Sequence, residues 1–530
     1  MKRVDLDPLR LTLFGGWGEI GGNQILLEAG EGAVLLDFGK PFARWGKFFT
    51  EFLSPRSALG LRDLLLLGLL PPIRGLYRDD PQDTLFLSEA ERKGLLTGEL
   101  DGERILALLL THAHLDHTGA VAYLRRDMPI VASAATAAIV KAMQDTAQVG
   151  MDGEAAYVTP RQPGKEGVLE GDRKRYLRRP YRLLHGTLKA FPHQSPAKTK
   201  TLEGHPWEPA EAPLSLGPFR VHPFPVDHSV PGAVAYALDT PAGLVVYTGD
   251  LRGHGRWGAK TEDFLRALEG REVFLLMVEG TRLGRPGKAP TEGEVREALH
   301  GLLKEHPEAP AVVDFAPRNL ERLLSCLEVG RDLGRALVVT PKDAYLLLAL
   351  AEAEREPWTG VLREVLVLRE PKGRRDGWEE ALWAQGGIRP VTLEEVAQDP
   401  AAYLLALGFY EINRLLDLRL LERASGRPSR RGVYVFSNAF WADQEQILDL
   451  RVLLEWLKRL EFDLYPKSLR PLPDDPSRVE NPYHTSGHAP EGDLVAWVRR
   501  LKPRYLLPVH TEAPHRWQEL LAGEGVEVLL

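Results

Sequence analysis

Thr111-His112-Ala113-His114-Leu115-Asp116-His117-Thr118-Gly119 is the stretch that decides how this chain is read. An apolar run over residues 105–110 precedes it and reads as a buried strand, and 118–126 reads as a turn into a helix. His112, His114, Asp116 and His117 therefore stand in a loop at a strand's C-terminal end, where α/β folds carry their chemistry. Three imidazoles and a carboxylate within residues 112–117 are costly to bury together unless a cation balances them. The i, i+2 spacing points His112 and His114 the same way from an extended backbone. Asp116 and His117 turn toward a neighbouring position, so a pair of metal ions is expected rather than one.

The same habit recurs along the chain. A strand over 221–226 runs into Asp227-His228-Ser229, a hairpin over 233–247 ends in Thr248-Gly249-Asp250, and a strand over 504–509 ends in His510. In this company Asp250 reads as a carboxylate bridging two metals. Residues 15–23, Gly-Gly-Trp-Gly-Glu-Ile-Gly-Gly-Asn, link two strands. No helix follows, so they suit a hairpin whose backbone approaches something closely better than a nucleotide fingerprint. The strand over 33–36 ends at Asp37, which reads equally as a group orienting the metal loop or as a turn cap. In 40–100 only helices over 61–70 and 88–96 stand out, followed by a strand at 130–132 and a helix over 134–145.

A strand over 274–278 ends at Glu279-Gly280-Thr281, and the pattern then changes. Strands at 311–315, 336–340, 402–407 and 433–436 alternate with helices at 319–333, 342–354 and 444–460, which predicts a separate parallel α/β unit. Its loop over 423–431 reads as a solvated basic tip. A polar loop containing His484, Ser486, Gly487 and His488 leads to a helix over 491–501 and the strand before His510. The domain division expected is 1–284, an insertion at 285–475, and completion of the first domain over 476–530.

Across 530 residues the net charge is −7, which argues against a protein that coats nucleic acid by bulk positive charge. A local basic tract does exist: 161–200 carries eleven Lys and Arg against three Asp and Glu, interleaved with Tyr176, Tyr181 and Phe191. Such a tract fits either a phosphate backbone with stacked bases or a solvated loop. Cys326 is the single cysteine, so no disulfide framework or cysteine-rich zinc site is expected. The N-terminus has no apolar leader, and the most apolar run, 64–71, is too short to span a bilayer. A cytoplasmic chain with no membrane partner is expected.

The motifs together resemble the metallo-β-lactamase superfamily and, within it, the β-CASP nucleases of the ribonuclease J type. The likeness is carried by residues 15–23, by the 111–119 stretch, by His484-Thr485-Ser486-Gly487-His488-Ala489, and by Leu507-Pro508-Val509-His510. It implies an αββα sandwich with an inserted β-CASP α/β domain. It implies that His112, His114 and His228 bind one Zn²⁺, that Asp116, His117 and His510 bind a second, and that Asp250 bridges them; Mn²⁺ is the alternative metal. It places Glu279 and His488 as an acid–histidine pair and His484, Ser486 and Gly487 as the grip on a substrate phosphate. The activity implied is hydrolysis of RNA, single-stranded above all, by an exo- or endonuclease whose water is activated between two metals. The alternatives are a DNA nuclease or a small-molecule hydrolase of the lactamase kind. A homodimer is the assembly implied, although the sequence stops at Leu530, where the family continues into a further domain. The Gly-Ser-Gln-Gly-Glu stretch of the family's inserted domain is replaced by Ala406-Leu-Gly-Phe-Tyr-Glu-Ile-Asn413.

Overall fold

A computed structural model describes residues 1–530 except 51, 79–86, 97, 99, 148–149, 286, 427–429, 441–443 and 471–478. The expected boundary at 475 and the centre of the 423–431 loop lie outside the described residues.

Two sheets face each other. In the first, strands Lys2–Leu6, Leu9–Gly15, Gln24–Ala29 and Gly32–Phe38 run as an antiparallel meander. Gly32–Phe38 then pairs in parallel with Ile105–Leu109, and Ile130–Ser133, Tyr181–Leu184 and Trp207–Pro209 follow. The second sheet contains Phe219–Pro225, Val234–Thr240, Gly243–Tyr247, Val273–Glu279 and Tyr505–Val509 in that order. The last pairing decides the topology. Leu275 through Glu279 lie in parallel register with Tyr505 through Val509, so more than two hundred residues of chain leave and return between adjacent strands.

Alternation along each strand builds the layers. Leu36, Leu109, Tyr236, Val245 and Met277 fill the space between the sheets. Their neighbours Leu35 and Leu108 face outward onto the helix Ala134–Thr146. Val246 and Leu276 face outward onto the helices Gly258–Leu268 and Glu491–Leu501. Strands covered on both faces are apolar at nearly every position, which is why they read as continuous runs. The result is an αββα sandwich, as expected.

The intervening chain forms a third sheet of seven parallel strands, from Ala311–Asp314 to Phe462–Tyr465. Helices Leu320–Asp332 and Pro341–Glu354 cover one face, and Arg414–Ala424 and Gln444–Arg459 cover the other. Pro341–Glu354 packs on Ala134–Thr146, so one apolar cluster runs from the sandwich into the third sheet.

Two local expectations fail. The helix over 61–70 is only Arg62–Leu66, because Gly68 turns the chain at φ +66°. The helix over 120–126 is a single 3₁₀ turn, Val121–Tyr123, because Leu124 becomes extended and bridges to Tyr77. The 161–200 tract is also not a stacking surface: Tyr181 and Phe191 are each 1 % exposed and Tyr176 is half-buried. Arg178 and Arg179 are buried on backbone carbonyls, and Arg161 pairs with Glu154.

The contact between the two apolar layers holds a buried polar knot. Asp145 accepts hydrogen bonds from Lys141 Nζ at 2.6 Å, Tyr157 Oη at 2.8 Å and, from the third-sheet side, Tyr345 Oη at 2.8 Å. Removing the carboxylate strands a buried ammonium, which costs about 3–5 kcal/mol. Asp145→Ala is expected to lose about that much in urea unfolding, while a loss under about 1 kcal/mol would mean the knot is not a structural tie.

Candidate metal centre and cleft

Every strand tip that the sequence marked arrives at one place. His112 and His114 follow Ile105–Leu109, His228 follows Phe219–Pro225, Asp250 follows Gly243–Tyr247, and His510 follows Tyr505–Val509. The four-residue helix Leu115–Thr118 swings Asp116 and His117 toward the second position. Two donor sets result, with atoms within 4.8 Å of one another: His112, His114, His228 and Asp250, and Asp116, His117, His510 and Asp250. Asp250 belongs to both.

The donor atoms face each other. His114 Nδ1 is 3.2 Å from His112 Nε2 and 3.1 Å from His228 Nε2. Asp250 Oδ2 is 3.1 Å from His117 Nε2, 3.5 Å from His112 Nε2 and 3.6 Å from His510 Nε2. His510 Nε2 is 3.0 Å from Asp116 Oδ2. Burial lowers His112 and His228 well below the ordinary imidazole range and brings His114 to about 4. These rings are neutral at neutral pH, with lone pairs to give. Burial also opposes charge on His117, yet Asp250, Asp37 and Asp116 outweigh it and raise its pKa well above normal. The second position thus draws positive charge. Asp250 Oδ1 is buried without any hydrogen-bond partner. A buried carboxylate oxygen normally has one, so an orphan on a carboxylate whose other oxygen lies among imidazoles fits a metal ligand.

The remaining ring nitrogens of His117, His228 and His510 are anchored, which fixes the direction of those rings. Asp37 accepts from His117 Nδ1 at 2.7 Å, from Thr111 N and Oγ1 at 2.7 and 2.8 Å, and from Tyr247 Oη at 2.7 Å. His228 Nδ1 donates to the Gly487 carbonyl at 2.6 Å, and His510 Nδ1 meets Thr281 Oγ1 at 2.8 Å. Asp37 and His510 hold φ of +56° and +52°, a conformation non-glycine residues rarely adopt. The glycine loop does approach closely: Gly21, φ +77°, leaves 2.8 Å between a would-be Cβ and Asp116 Cβ.

His488 Nδ1 lies 3.0 and 3.1 Å from the two Glu279 oxygens and 3.1 Å from Thr281 Oγ1. Burial opposes its charge, but Glu279 and Asp250 raise it to about 9. His488 and Glu279 also form a third compact donor group with Asp250 and His510. The loop carrying Ser486 and Gly487 is pinned by Arg252, whose guanidinium donates to the Ser486 carbonyl at 2.8 Å and pairs with Glu321 of the helix Leu320–Asp332. His484 is farther out and hydrogen-bonds the Ser437 carbonyl at 3.3 Å. Thr281, Arg252 and Glu321 were missed in sequence; only the proximity of Thr281 to Glu279 hinted at a role.

Comparison with known proteins places these elements in context. The family profile described as the metallo-β-lactamase superfamily matches residues 83–269, and one described as a Zn-dependent metallo-hydrolase RNA specificity domain matches 477–530. Proteins named ribonuclease J are similar over nearly the whole chain. That of Helicobacter pylori is 21% identical over 96% of this chain and 56% of its own length. That of Mycolicibacterium smegmatis is 25% identical over 98% and 71%, and that of Pyrococcus abyssi 21% over 96% and 91%. The chain thus spans little more than half the length of the Helicobacter relative. A crystal structure of a protein of unknown function from Enterococcus faecalis V583 superposes with a TM-score of 0.64 at 20% identity, covering 98% of this chain and 97% of that one. That likeness concerns the fold. Among the described residues no helix is long and apolar enough to cross a membrane.

A ligand that binds only the folded state stabilises it by about 4 kcal/mol at a thousandfold excess over Kd. After dialysis against chelator, added Zn²⁺ is expected to raise the melting temperature by several degrees. Asp250→Ala should lose most of that rise, and an undiminished rise in this variant would separate Asp250 from metal binding.

Proposed function

We propose that this chain, which belongs to the ribonuclease J-like branch of the metallo-β-lactamase superfamily, is a metal-dependent ribonuclease that hydrolyses phosphodiester bonds of single-stranded RNA. The observation that carries the reading is the pair of donor sets sharing Asp250, set at the floor of a cleft whose opposite wall is the third sheet. A hydrolase for small molecules has no use for that wall. The domain division that fits is a sandwich of 1–284 and 476–530 with 285–475 inserted.

His112, His114 and His228 would hold one ion and Asp116, His117 and His510 the other, with Asp250 common to both; imidazole-rich ligands favour Zn²⁺ over Mn²⁺. When bound, the ions acidify a water toward neutrality and offset charge on the phosphate. Asp116 orients the attacking water. The Ser486 hydroxyl, whose oxygen already accepts from His488 N at 3.1 Å, has its proton free for a non-bridging phosphate oxygen. Gly487 sits where a Cβ would strike Ser229 Oγ at 2.7 Å, which keeps this turn close against His228. His488, held cationic by Glu279, is positioned to protonate the departing sugar oxygen. His484 fits a different part from the phosphate grip expected of it. Its Nδ1 must carry the proton, since a carbonyl only accepts, so its other nitrogen is an acceptor and suits a hydroxyl or amino group of the substrate.

Matched labelled RNA and DNA strands incubated with metal-loaded protein test the reading: RNA should be cut and DNA spared. His114→Ala should abolish cleavage while most RNA binding remains. His488→Ala should slow turnover about 10²- to 10⁴-fold with metal content unchanged by elemental analysis. Loss of metal from the His488 variant would reassign that residue to the third donor group.

A further inference from the structure

We propose that the far end of the cleft is a pocket for one nucleobase of the substrate strand, selective for bases with an exocyclic amino group and closed to a terminal phosphate. The inference rests on the ribonuclease reading and names what that site would recognise beside the cleaved bond.

A cavity of about 560 Å³ runs from His114 and His488 to the C-terminal edge of the third sheet. That volume, taken over the whole cavity, has room for a nucleotide reaching from the metal donors to the far wall. Its far wall is made where Ala311–Asp314 ends, where the turn Phe409–Glu411 follows Tyr403–Ala406, and where Gln444–Arg459 passes. The charged side chains there are Asp314, Glu411 and Asp449, and among the described residues no lysine or arginine lines it. Several groups along this wall accept hydrogen bonds. Asp314 is buried and takes donors from Tyr434 Oη at 2.7 Å and Asn438 Nδ2 at 2.9 Å, and the Glu411 carboxylate takes Gly408 N at 3.0 Å. The free nitrogen of His484 is a further acceptor, in a ring that burial and the nearby Arg322 keep neutral.

Around these acceptors the surface is apolar and aromatic. Leu450 and Leu453 form a buried floor. The rings of Phe409 and Tyr410 stand 5.3 Å apart at 62°, and Tyr410 is 84 % exposed at the mouth. A flat, uncharged, donor-rich group satisfies such a pocket. Adenine, cytosine and guanine present amino groups to carboxylates, whereas uracil brings a single ring N–H among carbonyl oxygens. A phosphate at the far wall would bring its negative charge against the carboxylates of Asp314, Glu411 and Asp449, where among the described residues no lysine or arginine lines the cavity. The cavity is continuous from His114 and His488 to this wall, so the occupant belongs to the same strand as the scissile bond.

The test uses metal-loaded full-length protein and oligonucleotides of adenylate, cytidylate and uridylate, equal in length, with hydroxyl or phosphate at either end. Adenylate and cytidylate strands should be cut at least about tenfold faster in kcat/KM than uridylate, and a phosphate at neither end should accelerate cleavage. Glu411→Gln, whose amide can also donate, and the exposed-site variant Tyr410→Ala should each shrink the base preference at least about fivefold. Fluorescence anisotropy of the same strands on metal-free protein reads the pocket without catalysis. If no strand is cut, the ribonuclease reading falls, while tighter binding of adenylate than uridylate, lost in Glu411→Gln, still upholds the pocket. Equal treatment of adenylate and uridylate in binding, a tenfold acceleration by a terminal phosphate, or an intact preference in both variants would overturn it.

Discussion

The structure is governed by one constraint: ionisable side chains that repel or strand one another have been buried together. Asp37, Asp250, Glu279, His112, His117, His228 and His510 are all essentially inaccessible, and Asp116 and His114 complete the group. Each buried ion costs several kcal/mol even after relaxation. Hydrogen bonds repay part of this at Asp37 and at Glu279, which accepts from Leu251 N, Thr281 N and Thr281 Oγ1. They do not repay it at Asp250 Oδ1, nor where the nitrogens of His112, His114 and His228 point at one another. Metal binding to such a set is worth on the order of 10–16 kcal/mol in structural zinc peptides, enough to dominate the balance.

The sandwich exists, in this view, to bring strand tips together. Parallel register between Gly32–Phe38 and Ile105–Leu109 sets Asp37 beside Thr111 and His117. Parallel register between Val273–Glu279 and Tyr505–Val509 sets Glu279 and Thr281 beside His510. The third sheet is tied to this floor by Arg252, which joins the Ser486 carbonyl to Glu321, and by Arg322, which joins Glu292 to the Ser437 and Tyr483 carbonyls. Buried guanidinium contacts thus join the two walls of the cleft.

Much of this was legible in the chain because its signals are local. His-x-His-x-Asp-His after an apolar run, and a His or Asp closing each later strand, are patterns a reader can find without knowing which strands pair. The alternation after residue 310 likewise announces a parallel sheet. Non-local facts were not legible. Asp37 read as either an orienting group or a turn cap, and only the pairing of two distant strands decides for the first. Composition left 161–200 open between nucleic acid and a solvated loop, and only the fold shows that its aromatic rings are not offered for stacking. Tyr181 belongs to a strand of the first sheet and Phe191 packs on Tyr345, so their rings serve the core. The 120–126 helix failed because Leu124 had a long-range partner in Tyr77 that no local propensity encodes.

The replaced stretch at 406–413 carries the other consequence. It puts Phe409, Tyr410 and Glu411 on the wall of the cleft, near the carboxylates of Asp314 and Asp449. Substrate choice then comes from a wall of acceptors and an aromatic lip, while the chemistry stays with the strand tips.

The central claim is that two ions share Asp250, and anomalous diffraction at the zinc edge from crystals grown with Zn²⁺ measures it directly. The account predicts two peaks about 3.5–4 Å apart, one against His112, His114 and His228 and the other against Asp116, His117 and His510, with Asp250 touching both. A cleft floor without anomalous density, or zinc held only by residues outside these sets, would contradict it.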